Sequence, residues 1–295
     1  MILELAIIGT TASGKSDLAI ELALRYNAVI LSLDSLCLYK EINIASAKPS
    51  LDELNSVLHF GINLVYPDEY FSVGEFIKEY QKASNYAKKH SKNLIITGGS
   101  GFYLNAMLKG LAPKFDDITI DISDDEIWEL ACKFDTNFVN KFSKNDKFRL
   151  HKWYQIYKTT SQIPSKYLKE NRQEPIIKGI KIFEIQVPKE LLNKKINIRT
   201  QKMLNTGLID EAKYLSKKYG THHKSLNCIG LKETFSYLRN EISKQNLIEL
   251  INTHTIQLAK RQRTFNKSQF IINKFSAPID EVKLALSSYL SKQYI

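Results

Sequence analysis

The chain has 295 residues, of which 43 % are hydrophobic and 25 % charged, with a net charge of +11. This is ordinary for a globular protein large enough for one sizeable core plus a smaller inserted one. No apolar run approaches the roughly 18 residues of a membrane helix. Three widely spaced cysteines, Cys37, Cys132 and Cys228, argue against a disulfide framework or a zinc cluster and fit a reduced, cytoplasmic compartment.

In chain order, the apolar start at 1–8 lacks a basic flank and runs into a glycine loop, which marks a first strand at 3–8 and not a signal peptide. Gly9, Thr10, Thr11, Ala12, Ser13, Gly14, Lys15 and Ser16 then fit G-x-x-x-x-G-K-[ST]. A helix from 15 to about 26 follows, apolar at 18, 19, 22 and 23. In such a loop the backbone amides face phosphate oxygens, Lys15 adds a full charge, and the Ser16 hydroxyl can ligate Mg²⁺. A second apolar run, 28–32, ends at Leu33-Asp34-Ser35. A third, 94–97, ends at Gly98-Gly99-Ser100-Gly101, before a helix at 102–108. Strand, special turn and helix in repetition predict a parallel α/β sheet. Ligands of such sheets bind beyond the carboxyl ends of the strands, so the three turns should converge.

After Pro113 no strand is predicted until 180–187, and 114–180 reads as a helical insertion between core segments 1–113 and 181–295. Its charge is segregated. Eight acids, including Asp117, face two lysines between 114 and 140, whereas eleven bases face three acids between 141 and 181. Phe148, Trp153, Tyr154, Tyr157 and Tyr167 lie among those bases. Bases with aromatics suit a nucleic-acid surface. A lysine-rich set of solvated faces reads the same. The remainder predicts one helix over 190–218, a break at Gly220-Thr221, a helix over 247–265, and core segments at 270–272 and 279–290.

Other residues have more than one reading. Asp34 can cap the next segment, hold a metal-bound water or accept a proton from an attacking group. The 98–101 glycines suit either a tight turn or a site with Ser100 as its hydroxyl. The bases between Lys260 and Lys267 can complement a helix dipole or meet phosphates.

Together these residues resemble the tRNA dimethylallyltransferase (isopentenyltransferase) family. The likeness rests on Gly9 to Ser16, Asp34-Ser35 with Tyr39-Lys40 and Ala47-Lys48-Pro49, and Pro67, Glu69 and Phe71-Ser72-Val73. It continues through Gly98 to Tyr103, then Asn145-Asp146 with Arg149 and Lys152. The later matches are Arg199 before Met203-Leu204 and Gly207-Leu208, Cys228-Ile229-Gly230, and Ala259 to Phe265. Thr10 stands for a usual proline, Cys37 for a glutamine, Ser100 for a threonine, and Lys152, Lys195 and Lys267 for arginines.

The resemblance implies an α/β, P-loop NTPase-like core with an inserted helical domain that binds tRNA. It also implies that the loop holds dimethylallyl diphosphate with Mg²⁺ at Ser16, in a cytoplasmic monomer without membrane contact. Asp34, Ser100, Lys15 and Arg199 are its expected catalytic residues. The anticodon stem-loop would be read by Asp34, Ser35, Leu36, Cys37 and Ser100, and by Lys147, Phe148, Arg149, Leu150 and His151. Asn227, Cys228, Ile229, Gly230, Leu231 and Lys232, then Lys260, Arg261, Gln262, Arg263, Thr264, Phe265, Asn266 and Lys267, would complete that surface. A P-loop kinase of a nucleoside or small metabolite accounts for the loop and Asp34 but not for the basic segments. A non-catalytic nucleic-acid-binding ATPase would need an apolar strand ending in Asp-Glu, which is not present.

Overall fold

The computed structural model describes residues 2–116 and 118–291, so Met1 and Asp117, both included in the readings above, lie outside it. Six strands, β1 (Glu4–Gly9), β2 (Ala28–Ser32), β3 (His59–Phe60), β4 (Asn93–Gly98), β5 (Lys181–Ile185) and β6 (Lys274–Ala277), form one sheet in the order β3-β2-β4-β1-β5-β6. All pairings are parallel. The central strands are near-continuous apolar runs because a parallel sheet buries both faces, and Leu5, Ile7, Ile30, Leu31, Leu94 and Ile95 are almost wholly buried.

Helices α1 (Lys15–Arg25), α2 (Leu51–Ser56), α3 (Val73–Lys89) and α4 (Gly101–Lys109) fall between or after the first four strands. Four more, α5 (Asp124–Phe134), α6 (Thr136–Val139), α7 (Lys147–Thr160) and α8 (Pro164–Glu170), precede β5. The last five are α9 (Lys189–Asn205), α10 (Leu208–Tyr219), α11 (Leu231–Leu238), α12 (Lys244–Gln269) and α13 (Ile279–Ser291). Ser50, Ser72 and Ser123 cap α2, α3 and α5 with reciprocal Ser–Glu hydrogen bonds.

Two expectations need correction. The helix expected over 190–218 is two helices, because Gly207 takes φ 103° and ends the first run. The core segment expected at 270–272 contributes only Phe270. Ile271 and Ile272 are 77 % and 80 % exposed, and the strand begins at Lys274.

The chain divides into two compact units, Met1–Asn105 with Ile177–Ile295, and Ala106–Ile176. The second unit thus begins eight residues before, and ends four residues before, the bounds read from the sequence. In the first unit, α1, α9 and α13 bury Leu18, Leu22, Leu192, Ile196, Val282 and Leu286 in a core that includes the strands. A second core joins Ile42 and Ala45 to Met203, Leu208, Leu231 and Ile251. In the second unit, α5 and α7 pack around Ile127, Leu150, Trp153 and Tyr154. There Asp135 is buried but satisfied, accepting from Trp153 Nε1 at 2.9 Å and from the N–H groups of Phe138 and Ser165 at 3.1 and 2.9 Å.

Candidate active site

The three strand-end turns of the first unit line one pocket, together with residues from α9 and α12. At the end of β1, Gly14 takes φ 89°, a conformation that suits glycine, and caps α1, whose N-terminal amides can meet an anion. Lys15 is buried beside them, its Nζ donating to the Thr10 carbonyl at 3.1 Å. Burial lowers its pKa to about 8, partly opposed by Asp34 and reinforced by the Arg199 charge. Ser16, one residue on, is exposed and lines the same pocket.

At the end of β2, Asp34 uses Oδ1 to accept the Leu36 N–H at 2.9 Å, an Asx turn that sets the following loop. Its own N–H donates to Ser32 Oγ at 3.3 Å. No hydrogen bond to Oδ2 exists among the described residues, so one oxygen serves the turn and the other is left for a ligand. Cys37 is buried, and burial with the nearby Asp34 charge pushes its thiol pKa up, so it stays neutral.

At the end of β4, close approach of the Leu33 backbone requires glycine at Gly98, and its neighbours are closely packed. A Cβ at Gly98 would collide with the Leu33 backbone, and one at Gly99 with the Gln262 amide. One at Gly101 would press on Phe265 and Asn266. Ser100 Oγ lies 3.5 Å from Ser35 Oγ, linking this turn to the Asp34 loop. Arg199 of α9 also lines the pocket, and burial lowers its pKa against the opposing pull of Asp34. Gln262 of α12 accepts the Thr11 N–H through Oε1 at 2.8 Å. Ile196, Met203, Ile229 and Ile251 supply an apolar wall.

The residues present suit a divalent ion that is shared with a phosphate ligand. Among the described residues no cluster of His, Cys, Asp or Glu could cage a metal alone. A single hydroxyl, a nearby carboxylate and phosphate oxygens are the donor set that Mg²⁺ accepts.

The IPP transferase family model matches residues 37–269. A tRNA dimethylallyltransferase of Campylobacter fetus subsp. fetus is 55 % identical, with 99 % of each chain covered. The chain belongs to the IPP transferase family. Its fold is similar to that of the tRNA delta(2)-isopentenylpyrophosphate transferase of Staphylococcus epidermidis, with a TM-score of 0.70 at 26 % identity, covering 99 % of this chain and 100 % of that one. It is also similar to a eukaryotic dimethylallyltransferase acting on tRNA, with a TM-score of 0.80 at 25 % identity, covering 99 % of this chain and 77 % of that one. The core is accordingly α/β and P-loop NTPase-like.

In this IPP transferase, the pocket gathers Thr11, Lys15, Ser16, Asp34, Ser35, Leu36, Cys37, Ser100, Arg199, Ile229 and Gln262 of the residues singled out by sequence. Ala47, Pro49, Gly98, Gly99 and Met203, which help to carry the family resemblance, line it too, whereas several residues expected to contact tRNA are placed elsewhere. On α12, Lys260, Arg261, Arg263, Thr264 and Lys267 are exposed, whereas Asn266 is buried. Leu231 and Leu150 are core side chains of their respective units and present nothing to a surface ligand. Asn227 is exposed, and the turn at Gly230 is held by Glu233, whose carboxylate accepts the Gly230 N–H at 2.7 Å and pairs with His254 Nδ1 at 2.6 Å.

Residues 147–151 lie in the second unit. There Lys147 and His151 pair with Asp124 at 2.9 and 2.6 Å, Arg149 pairs with Asp146, and Phe148 is 73 % exposed. Trp153 and Tyr154 are interior, so the aromatics read as a stacking surface are mainly core.

Sequence reasoning missed the buried Thr97 hydroxyl, which lines the pocket without a hydrogen-bond partner. A threonine ending an apolar strand before Gly98-Gly99 was the available signal. It also missed Glu211, whose carboxylate accepts the N–H groups of Asn43, Ile44 and Ala45 at 2.8, 2.7 and 2.9 Å. No local pattern links residues so far apart.

Proposed function

We propose that the chain transfers a dimethylallyl group from dimethylallyl diphosphate to the exocyclic amine of the adenosine 3′-adjacent to the tRNA anticodon, releasing diphosphate. The observation that carries this reading is the convergence in one pocket of a phosphate loop, an aspartate with one free oxygen and an apolar wall. The apolar wall suits a five-carbon allyl group. The loop amides and Lys15 suit its diphosphate.

In the reaction the amine nitrogen attacks the allylic carbon, and the carbon–oxygen bond breaks with its electron pair passing to diphosphate. The loop amides, Lys15 and Arg199 stabilise that growing charge. Asp34 accepts the proton leaving the amine through its free oxygen, and Ser100 orients the reacting groups. Mg²⁺ held at Ser16 would neutralise further charge on the diphosphate. The adenosine must leave its stack to reach such a pocket, and the exposed bases of α12 would hold the flanking anticodon stem-loop.

Incubation of bulk tRNA with labelled dimethylallyl diphosphate or labelled ATP tests this directly. Label should enter tRNA from the allyl donor, at one adenosine. Phosphoryl transfer from ATP to a small acceptor, without prenylation of tRNA, would overturn the reading in favour of a kinase.

A further inference from the structure

An aromatic cluster that the reaction does not use lies beside the catalytic turns. Phe102 comes two residues after Ser100, in the first turn of α4, and is 57 % exposed. Its ring has a firm backing. Tyr103 lies 6.0 Å from it at 55°, and Tyr103 in turn stacks on the fully buried Phe76 at 4.2 Å and 8°. The cluster also adjoins the Asp34 loop. The pKa of the Tyr103 hydroxyl is pushed up to about 12, first by burial and then by the nearby Tyr39, Asp34 and Tyr70. Tyr70 is itself 84 % exposed. On the other flank, Phe265 and Asn266 of α12 close so tightly on Gly101 that a Cβ there would lie 3.0 Å from both. Phe102 thus follows directly on a contact with the stretch of α12 that exposes Arg261, Arg263 and Lys267. A lone exposed phenylalanine needs no explanation. One that is backed by packed rings, beside a pocket and next to exposed cations, has both parts of a single-stranded nucleic-acid site. The ring offers a face to a base, and the cations meet its backbone.

We propose that Phe102 is the platform on which an unpaired base next to the reacting adenosine stacks while that adenosine occupies the pocket. The proposal rests on the reading of the acceptor as an adenosine of the anticodon loop and adds a residue that holds its neighbour. Extruding one nucleotide breaks its stacking on both sides. A neighbouring base left with a bare face regains a partner on Phe102, which offsets part of that cost. Every base has a π face, so the contact favours a single-stranded loop over a duplex with little choice among bases.

The test measures binding of the full chain to a synthetic anticodon stem-loop RNA, intact or with an abasic nucleotide 5′ or 3′ of the target adenosine. Wild type is compared with Phe102→Leu, which keeps apolar bulk without a ring, and with Phe102→Trp, which restores a ring. Phe102→Leu should weaken binding of the intact stem-loop by about 5- to 50-fold, the value of one base stacked on an aromatic side chain, and Phe102→Trp should not. On one of the two abasic RNAs, wild type and Phe102→Leu should bind alike. Equal affinity of both proteins for the intact stem-loop overturns the proposal while leaving the tRNA reading intact. So does a loss that persists undiminished on both abasic RNAs, which would make Phe102 a structural residue and not a platform. A changed oligomeric state in Phe102→Leu with unchanged RNA affinity also overturns it, in favour of a protein contact at this ring. Failure of wild type to bind the intact stem-loop would remove the tRNA reading, and this proposal with it.

Discussion

For Asp34 a hydrogen bond, and for Lys15 burial, sets the effect expected of a substitution. Because Oδ1 of Asp34 holds the turn through the Leu36 N–H, Asp34→Asn preserves the loop while removing the proposed proton acceptor. Prenyl transfer should fall by about 10²–10⁴ with tRNA affinity changed less than about threefold. Single-turnover kinetics and filter binding measure the two, and activity within about tenfold of wild type would remove Asp34 as the base. For Lys15 the consequence is a pH effect. Its pKa falls from 10.5 unfolded to about 8 folded, because burial disfavours the charged form. Between those values the unfolded chain binds more protons, so the contribution of Lys15 to stability rises with pH across that window. At neutral pH the buried charge costs about 3 kcal/mol. Lys15→Met should therefore raise the unfolding free energy of the unliganded protein near neutrality, and this gain should fade as pH approaches about 10.5. Urea titrations across that range check it. Equal stability at neutral pH would show that Lys15 carries no buried-charge penalty.

Among the elements, Glu211 has the clearest structural effect. One carboxylate on α10 secures three consecutive amides of the segment that leads into Ala45, Ser46 and Ala47 on the pocket wall. Glu211→Ala should lower stability by about 2–3 kcal/mol, since charge-assisted hydrogen bonds are lost and partly buried amides are left unpaired. It should also raise the donor KM more than it lowers kcat. An unchanged melting temperature would show that water replaces the carboxylate without cost. Much at this scale was legible in the sequence. β1, β2 and β4 are buried on both faces and read as plain apolar runs, and the phosphate loop sits between a strand and a helix as its pattern requires. The two-residue β3 is too short to leave any periodicity. The split between α9 and α10 depends on one glycine at positive φ within an otherwise continuous helical pattern. The Ser72–Glu75 pair that starts α3 is a readable capping signal, whereas the grip of Gln262 on Thr11 spans 251 positions and has no local trace.

For the whole molecule the main lesson concerns charge. The acidic and basic blocks that look segregated along 114–181 meet in the second unit, where Lys144, Lys147 and Lys158 pair with Asp125, Asp124 and Asp121. By sequence that unit holds twelve Lys and Arg against eleven Asp and Glu, a net of +1, so +10 of the chain's +11 belongs to the first unit. A linear charge plot overstated the insertion because helix packing brings the two blocks together. If tRNA is bound mainly through phosphates, the salt dependence of binding should follow the exposed bases of α12. Removing one base that neutralises a phosphate should lower the log–log slope by about 0.7 to 0.9. Neutralising Lys260, Arg261 and Lys267 together should lower it by about 2 to 3. Arg263 is left out because it also donates to the Val187 carbonyl at 3.1 Å and its loss would disturb packing. The Lys147→Ala/Lys152→Ala pair should produce a smaller change, since Lys147 already faces Asp124 and Lys152 donates to Gln155 at 2.8 Å. Turnover at saturating tRNA should change little in either variant, because these groups are not among those lining the pocket. A larger slope change for the pair than for the α12 triple would restore the second unit as the main electrostatic contact. An unchanged slope in both variants would mean that tRNA is held by shape and base contacts, with the first unit's positive charge a solvated surface.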